Sequence, residues 1–256
     1  MKRTMIALAS LNRFQAAGIH FTISVVVAAV VLAGLLLVWY PQPYFRLAGG
    51  SDLMLILIGV DVVLGPLMTL VVFNPAKKSL RFDLSVIAAL QVAALIYGLA
   101  VMAQARPVFV VFAGDRFTIV AANQIAEESY AGAKPPFDSP PMNGPTIVGA
   151  RLPADPKERE RVMLLLAGGV DLPMIPRYYV PFADMRDVLK AKSRPLADLE
   201  ARSAGAKGAA NAAVARADRK RESLAWVPVF GRLEAGSAIV DLDRGDVVAV
   251  LPVDPF

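Results

Sequence analysis

Charged residues are almost missing from three stretches of the first 105 positions. Between Arg13 and Arg46 lie 32 residues without a formal charge, and between Asp83 and Arg106 another 22. Between Asp52 and Lys77, Asp61 is the single ionisable group. A helix rises 1.5 Å per residue, so about 20 residues cross a hydrocarbon layer about 30 Å thick. The pattern predicts three transmembrane helices, near 19–39, 53–73 and 84–105. Residues 4–18 are mildly amphipathic and are expected to lie along a membrane surface before the first span. Residues 40–50 predict a short Pro/Gly loop. Asn74-Pro75 ends the second stretch, because proline cannot continue a helix into the turn. Asp83 is placed to cap the third helix.

After Arg106 the pattern changes. Two β-rich runs, 107–112 and 116–122, flank Ala113-Gly114-Asp115 and predict a hairpin. Residues 132–145 hold five prolines and two glycines and predict a loop, followed by a short strand at 146–151. Residues 154–168 predict a helix that stops at Gly168-Gly169. Residues 182–203 predict a second helix, interrupted near Arg194-Pro195. The Ala-rich stretch 204–222 reads as an exposed helix or a mobile arm. Three β-runs close the chain, at 226–230, 237–241 and 246–251. Strands, then helices, then strands predict an α+β domain with an antiparallel sheet.

Charge adds orientation. The net charge is +5. Residues 106–256 carry 20 basic and 19 acidic groups, and residues 1–105 carry 7 and 3, so the surplus belongs to the apolar part. Lys2, Arg3, Arg13, Lys77, Lys78 and Arg81 flank one side of the spans, and only Arg46 lies in the first loop. Basic residues collect on the cytoplasmic side. The N-terminus and the 74–83 loop are therefore expected inside, with Lys77, Lys78 and Arg81 against anionic headgroups. Residues 40–52 and 106–256 are expected outside, which in a bacterium is the periplasm. The predicted architecture is a three-helix transmembrane anchor (1–105) in the bacterial inner membrane, followed by a periplasmic α+β domain (106–256). A high pI explained in this way argues against nucleic-acid binding. The first apolar run is too long for the core of a signal peptide, and Trp39-Tyr40-Pro41 resembles an interfacial belt rather than a cleavage site. An uncleaved anchor is expected. The chain has no cysteine, which excludes disulfides and thiol chemistry.

Candidate chemistry is sparse. A carboxylate at mid-bilayer costs roughly 2.5–3.5 kcal/mol on insertion scales, so Asp61 needs an offset. Two roles are open to it: a bond within the bundle, with Thr22, Ser24, Thr69, Ser85, Gln91 or Tyr97 as partners, or a contact with a partner's helix. Gly65-Pro66 predicts a kink in the second span, a packing kink rather than a hinge, with the freed carbonyl satisfied by neighbours, and Gly65 and Pro66 join Asp61 as candidate bundle or partner contacts. His20, the one histidine, reads as a polar anchor near the inner interface. Arg159-Glu160-Arg161 and the bases at 216–221 read as solvated helix faces, with a docking surface as the alternative. Asp241, Asp243 and Asp246 lack calcium-loop spacing and read as a turn. No serine–histidine pairing, phosphate loop or HExxH occurs. The expectation is a protein that is not an enzyme, with no catalytic, cofactor or metal residues.

The stretch from Leu55 through Gly59-Val60-Asp61, Gly65-Pro66, Lys77-Lys78-Ser79 and Phe82-Asp83 to Arg106-Pro107-Val108 resembles the type IV pilin accessory proteins of the TfpX/TfpZ type. The resemblance covers about 53–125 closely, and the terminal WVPVFGR and DLDRGDVVAVLP segments in outline. It implies an inner-membrane partner of a particular pilin that assists or modulates pilus assembly or extension and retraction. The lipid bilayer is the second implied partner, and no cofactor is implied. A type IV pilin carries a buried glutamate near the start of its apolar helix, so the resemblance makes a polar meeting with Asp61 conceivable. The competing expectation is a membrane-anchored periplasmic sensor or ligand-binding module. An enzyme that modifies the pilin is disfavoured by three spans and no acid/base cluster.

Overall fold

The computed structural model describes residues 11–217 and 219–256. Among the described residues, three helices are long and apolar enough to cross a membrane: Arg13–Trp39, Gly50–Val72 and Leu80–Ala105. The chain divides into two compact units. One holds the described residues up to Leu37 together with Ser51–Ala103, and the other holds Val38–Gly50 with Gln104–Phe256.

In the first unit, α1 (Arg13–Gly34) starts at Asn12. The Asn12 side chain accepts the Gln15 amide and the Gln15 side chain accepts the Asn12 amide, a reciprocal cap that satisfies two unpaired donors. The helix continues through a π-helical turn at Leu35–Trp39. The surface-lying segment expected at 4–18 therefore does not exist as a separate element from Asn12 onward, and residues 4–10 lie outside the described residues. The second apolar helix is built from α3 (Gly50–Ile58), a π-helical turn at Gly59–Leu64, and α4 (Gly65–Val72). The third, α5, runs from Leu80 to Ala105 without interruption. Asp83 sits in its first turn rather than at its cap. There it accepts from Ser79 Oγ at 3.4 Å and pairs with Lys77 Nζ at 2.6 Å, because the helix starts three residues before it.

The second unit is a mixed sheet with helices packed on it. Its strands are β1 (Pro107–Ala113), β2 (Arg116–Ala121), β3 (Thr146–Ala150), β4 (Tyr179–Pro181), β5 (Arg194–Pro195), β6 (Leu224–Phe230), β7 (Ala235–Asp241) and β8 (Asp246–Leu251). The order is β4-β3-β1-β2-β6-β7-β8, with β5 also paired to β6. The hairpin β1–β2 and the meander β6–β7–β8 are antiparallel, as expected. The purely antiparallel sheet is corrected: β1–β3 and β2–β6 are parallel. Both parallel pairs join strands separated by a long crossover, which a two-residue turn cannot supply.

Apolar clusters on both halves of the sheet hold this unit together. Phe109, Val111, Val148 and Tyr179 pack across β1, β3 and β4. On the other half, α8 (Leu196–Glu200) and α9 (Ala204–Ala217) cover β6 and β7 with Leu199, Ala210 and Ala213 against Trp226 and Ile239. The Ala-rich stretch is thus a packed helix rather than an arm. It buries Ala206, Ala210 and Ala213, one helical face. The interruption at Arg194-Pro195 is the edge strand β5, and Arg194 and Arg202 each place a guanidinium 5.2 Å from the Trp226 ring. The helix expected at 154–168 is α6 (Pro156–Ala167), capped by Asp155, and α7 (Arg186–Lys192) follows β4.

Residues 38–50 are more than a loop. They form a short helix, α2 (Tyr44–Leu47), whose Leu47 is buried, as is Tyr40 before it. The Arg232 amide donates to Leu47 O at 3.0 Å, and Arg46 Nε pairs with Glu234 at 2.7 Å.

Candidate functional site

The first unit gathers polar groups from all three apolar helices. On α1, His20 and Ser24 are one turn apart and share a face. On the second helix, Asp61, Gly65, Pro66 and Thr69 are all buried, with Asp61 only 7% exposed. His20 Nδ1 and Thr69 Oγ1 are hydrogen-bonded at 2.6 Å and tie the first helix to the second. The backbones of α1 and α4 run close together, whereas α5 stands further off and reaches its neighbours through side chains.

Gln91 on α5 makes that reach. Pro66 has no N–H, and the preceding turn is π-helical, so the carbonyl it cannot serve is five residues back, on Asp61. Gln91 Nε2 donates to Asp61 O at 3.3 Å. The expectation that a neighbour would take up a carbonyl freed by Pro66 is met by this amide. Gly65 makes room for it: a Cβ at position 65 would lie 2.0 Å from Gln91 Nε2. The sequence offers Gly65 as part of a kink and, with Asp61 and Pro66, as a bundle or partner contact, without saying which neighbour it meets. The signal for its second role is a small residue on the buried face of an apolar helix, where backbones and polar side chains meet.

The Asp61 carboxylate is a different matter. Among the described residues no hydrogen bond reaches it. Of its six expected partners, Gln91 takes the backbone oxygen, Thr69 goes to His20, and Thr22 donates to Gly18 O at 2.9 Å. Ser85 and Tyr97 are exposed. Ser24 is buried and lines the same cleft as Asp61. That cleft has a volume of about 310 Å³ and is walled by Ile23, Val27, Val92 and Leu95, with His20, Ser24, Asp61 and Gln91 as its polar groups. A smaller apolar cavity of about 230 Å³, lined by Ile19, Phe73 and Ile87 among others, shares His20 with it. His20 is therefore part of the polar seam rather than an isolated anchor.

The remaining sequence candidates fall elsewhere. Lys78 and Arg81 are exposed, and Lys77 is held by Asp83. Asp241 is buried and accepts the Asp243 and Arg244 amides at 2.9 and 3.1 Å, the turn geometry expected there. Arg219 lies 3.7 Å from Asp241 and 3.2 Å from Asp246. On α6, Glu158 holds Arg161, Arg177 and the Tyr178 hydroxyl, so this end of the charged face is tied into the unit.

The family model for the fimbrial assembly protein FimB matches residues 10–49. A fimbrial assembly protein of serogroup I from Dichelobacter nodosus is 33% identical over 182 residues, 70% of this chain and 71% of the relative. This chain belongs to the fimbrial assembly protein family. A second family member from D. nodosus, of serogroup E1, is 35% identical over 183 residues, with the same coverage. A third, of serogroups C1 and C2, is 41% identical over 110 residues, 42% of this chain and 84% of that relative. No solved structure matches the chain. The FimB-matching part of this family member holds His20 and Ser24 on α1 and continues through α2. Membership agrees with the resemblance to type IV pilin accessory proteins.

Proposed function

We propose that this chain is an inner-membrane accessory protein that binds a type IV pilin and so assists or modulates pilus assembly or extension and retraction. It acts by binding, without catalysis. The three apolar helices span the membrane with the N-terminus in the cytoplasm and residues 106–256 in the periplasm. The pilin's apolar helix meets the cleft at Asp61 laterally, and the periplasmic domain offers further contacts. The family's role in fimbrial assembly supports the biological setting, and the resemblance over 53–125 supports the type IV assignment.

One observation carries the lateral contact: a buried carboxyl group, without a hydrogen bond among the described residues, lines an open cleft between the first and third apolar helices. Leaving such a group without a hydrogen bond in hydrocarbon is costly, even with His20 close enough to act on it electrostatically. A visiting helix that brings a polar group recovers that cost. Polar bonds between membrane helices average only about 0.6 kcal/mol, so Asp61 sets register and selectivity while packing in the cleft supplies affinity.

The test is co-purification of the major pilin with the tagged full-length protein. Pilin recovery falls with Asp61→Leu at equal protein level, and deletion of the gene lowers surface piliation. Pilin recovery unchanged by Asp61→Leu, together with piliation unchanged by deletion, overturns the proposal.

A further inference from the structure

Three chain segments join the second unit to the apolar helices, and their ends gather on one face of that unit. Tyr40 follows the first apolar helix, Gly49 precedes the second, and Arg106 follows the third. Arg106 and Arg232 both lie close enough to Tyr40 to act on its hydroxyl electrostatically. The Arg232 amide is bonded to Leu47 O, and a Cβ on Gly49 would lie 2.9 Å from Leu233 Cδ1. An Arg106 guanidinium nitrogen sits 3.6 Å from Met142 Sδ, and Gly144 abuts Pro41. Two loop tips, 142–144 and 231–234, thus flank the points where the chain leaves for the apolar helices.

Each tip ends in a bare apolar side chain: Met142 is 61% exposed and Leu233 60%. Exposed arginines sit beside them, Arg46 and Arg232, with Glu234 as the acid paired to Arg46. Apolar tips among cations at the mouth of membrane spans match the chemistry of a bilayer interface. There apolar groups enter the acyl boundary and guanidinium groups meet phosphate. The far ends of the same strands differ. The turns at Asp115 and Asp243 are exposed, set each acid beside an adjacent exposed arginine (Arg116, Arg244) and present no exposed large apolar side chain at the tip, and each lies a strand of seven residues away, about 20 Å.

From this we infer that Met142 and Leu233, with Arg46 and Arg232, form a lipid-binding collar that seats this unit on the headgroup layer of anionic phospholipid. The collar rests on the reading that the three apolar helices span the bilayer. It holds the domain at a fixed height above the membrane, and so fixes which part of a membrane-anchored partner the domain meets.

The test uses the full chain in vesicles of phosphatidylethanolamine and phosphatidylglycerol. The absence of native cysteine permits single nitroxide labels at Met142→Cys, Leu233→Cys, Asp115→Cys, Asp243→Cys and Leu90→Cys. The ratio of collision with oxygen to collision with an aqueous nickel complex is expected to be several-fold higher at 142 and 233 than at 115 and 243, and higher still at 90. Ratios at 142 and 233 equal to those at 115 and 243, with position 90 deep, overturn the collar alone. An aqueous label at position 90 overturns the spanning reading itself. A label at 142 or 233 that becomes apolar only when purified pilin is added gives the face to a protein partner and also overturns the collar.

Discussion

Gly65 and Gln91 occupy space that admits only one of them at full size: a Cβ on Gly65 would lie 2.0 Å from the Gln91 side-chain nitrogen. The amide is the far end of a flexible side chain, so an alanine at 65 displaces it instead of breaking the helix. Its cost is then the hydrogen bond to Asp61 O, about 0.5–1.5 kcal/mol, rather than a steric collision. Gly65→Ala and Gln91→Ala are expected to destabilise the protein in detergent by similar amounts. The double variant is expected to cost little more than either alone, since both remove the same bond. Additive losses in thermal unfolding would show that the two residues act separately.

Gly231 faces a neighbour that cannot move aside. A Cβ there would lie 2.1 Å from Leu47 O and 2.7 Å from Glu234 O, both backbone atoms. Gly231→Ala is expected to push residues 38–50 off the second unit and destabilise it by about 3 kcal/mol, the upper part of the overpacking range. Limited proteolysis reports this as new cleavage within 38–50. Glu234→Ala, three residues further along the same loop but removing only a solvent-exposed ion pair with Arg46, is expected to change stability by less than about 1 kcal/mol. Equal effects of the two substitutions contradict this account of how the segment is held.

Tyrosine titration gives a pH signature. Burial pushes the Tyr44 hydroxyl up to about 12, from an ordinary value of 10.0. Burial also raises Tyr40, with Arg106 and Arg232 pulling the other way, and it raises Tyr179, whose hydroxyl donates to Pro173 O. A raised value means the folded state holds the proton more tightly than the unfolded chain. The stabilisation is therefore complete below pH 10 and is lost as pH rises from 10 through 12. Absorbance at the tyrosinate band is expected to show buried tyrosines still protonated at pH 11 in the folded protein, with unfolding accompanying their ionisation. Full ionisation near pH 10 with the fold intact contradicts the burial of these rings.

Some of this architecture is plain in the chain. The charge-free runs locate the three apolar helices because hydrocarbon-length segments leave a compositional mark that no local detail obscures. The hairpin 107–122 and the closing meander show because β-rich runs are bounded by Gly and Asp turns. Other features leave no such mark. β4 and β5 are three and two residues long and end in Pro181 and Pro195, so neither has a pattern to read. The parallel pairs depend on where a long crossover returns, which alternation within a strand does not encode. Asp83 looks like a cap by residue type, yet Lys77 and Ser79 use its carboxylate inside the first turn. At the candidate site, Asp61 stands out by charge alone, and Gln91 is one of several polar candidates. That Gln91 would serve the carbonyl and leave the carboxylate to the cleft depends on the π-helical register before Pro66, which only coordinates reveal.

Ionic strength separates the two kinds of contact in the account. The Lys77–Asp83 pair is partly exposed, so its effect is screened by salt, whereas the His20–Thr69 bond is part-buried among apolar helices. Thr69→Val is expected to lower stability in detergent by about 1 kcal/mol at both low and high salt. Lys77→Ala is expected to have a smaller effect that vanishes in high salt. A salt-sensitive loss with Thr69→Val contradicts the placement of His20 within the bundle.

The most direct test of the central claim is photo-crosslinking in piliated cells from a reactive residue placed at Val92, which lines the Asp61 cleft, and at Leu90, on the opposite side of the same helix. A pilin adduct from position 92, absent from position 90 and lost when Asp61→Leu is added, is the predicted result. No adduct from 92, or equal adducts from both positions that survive Asp61→Leu, contradicts lateral docking at this cleft.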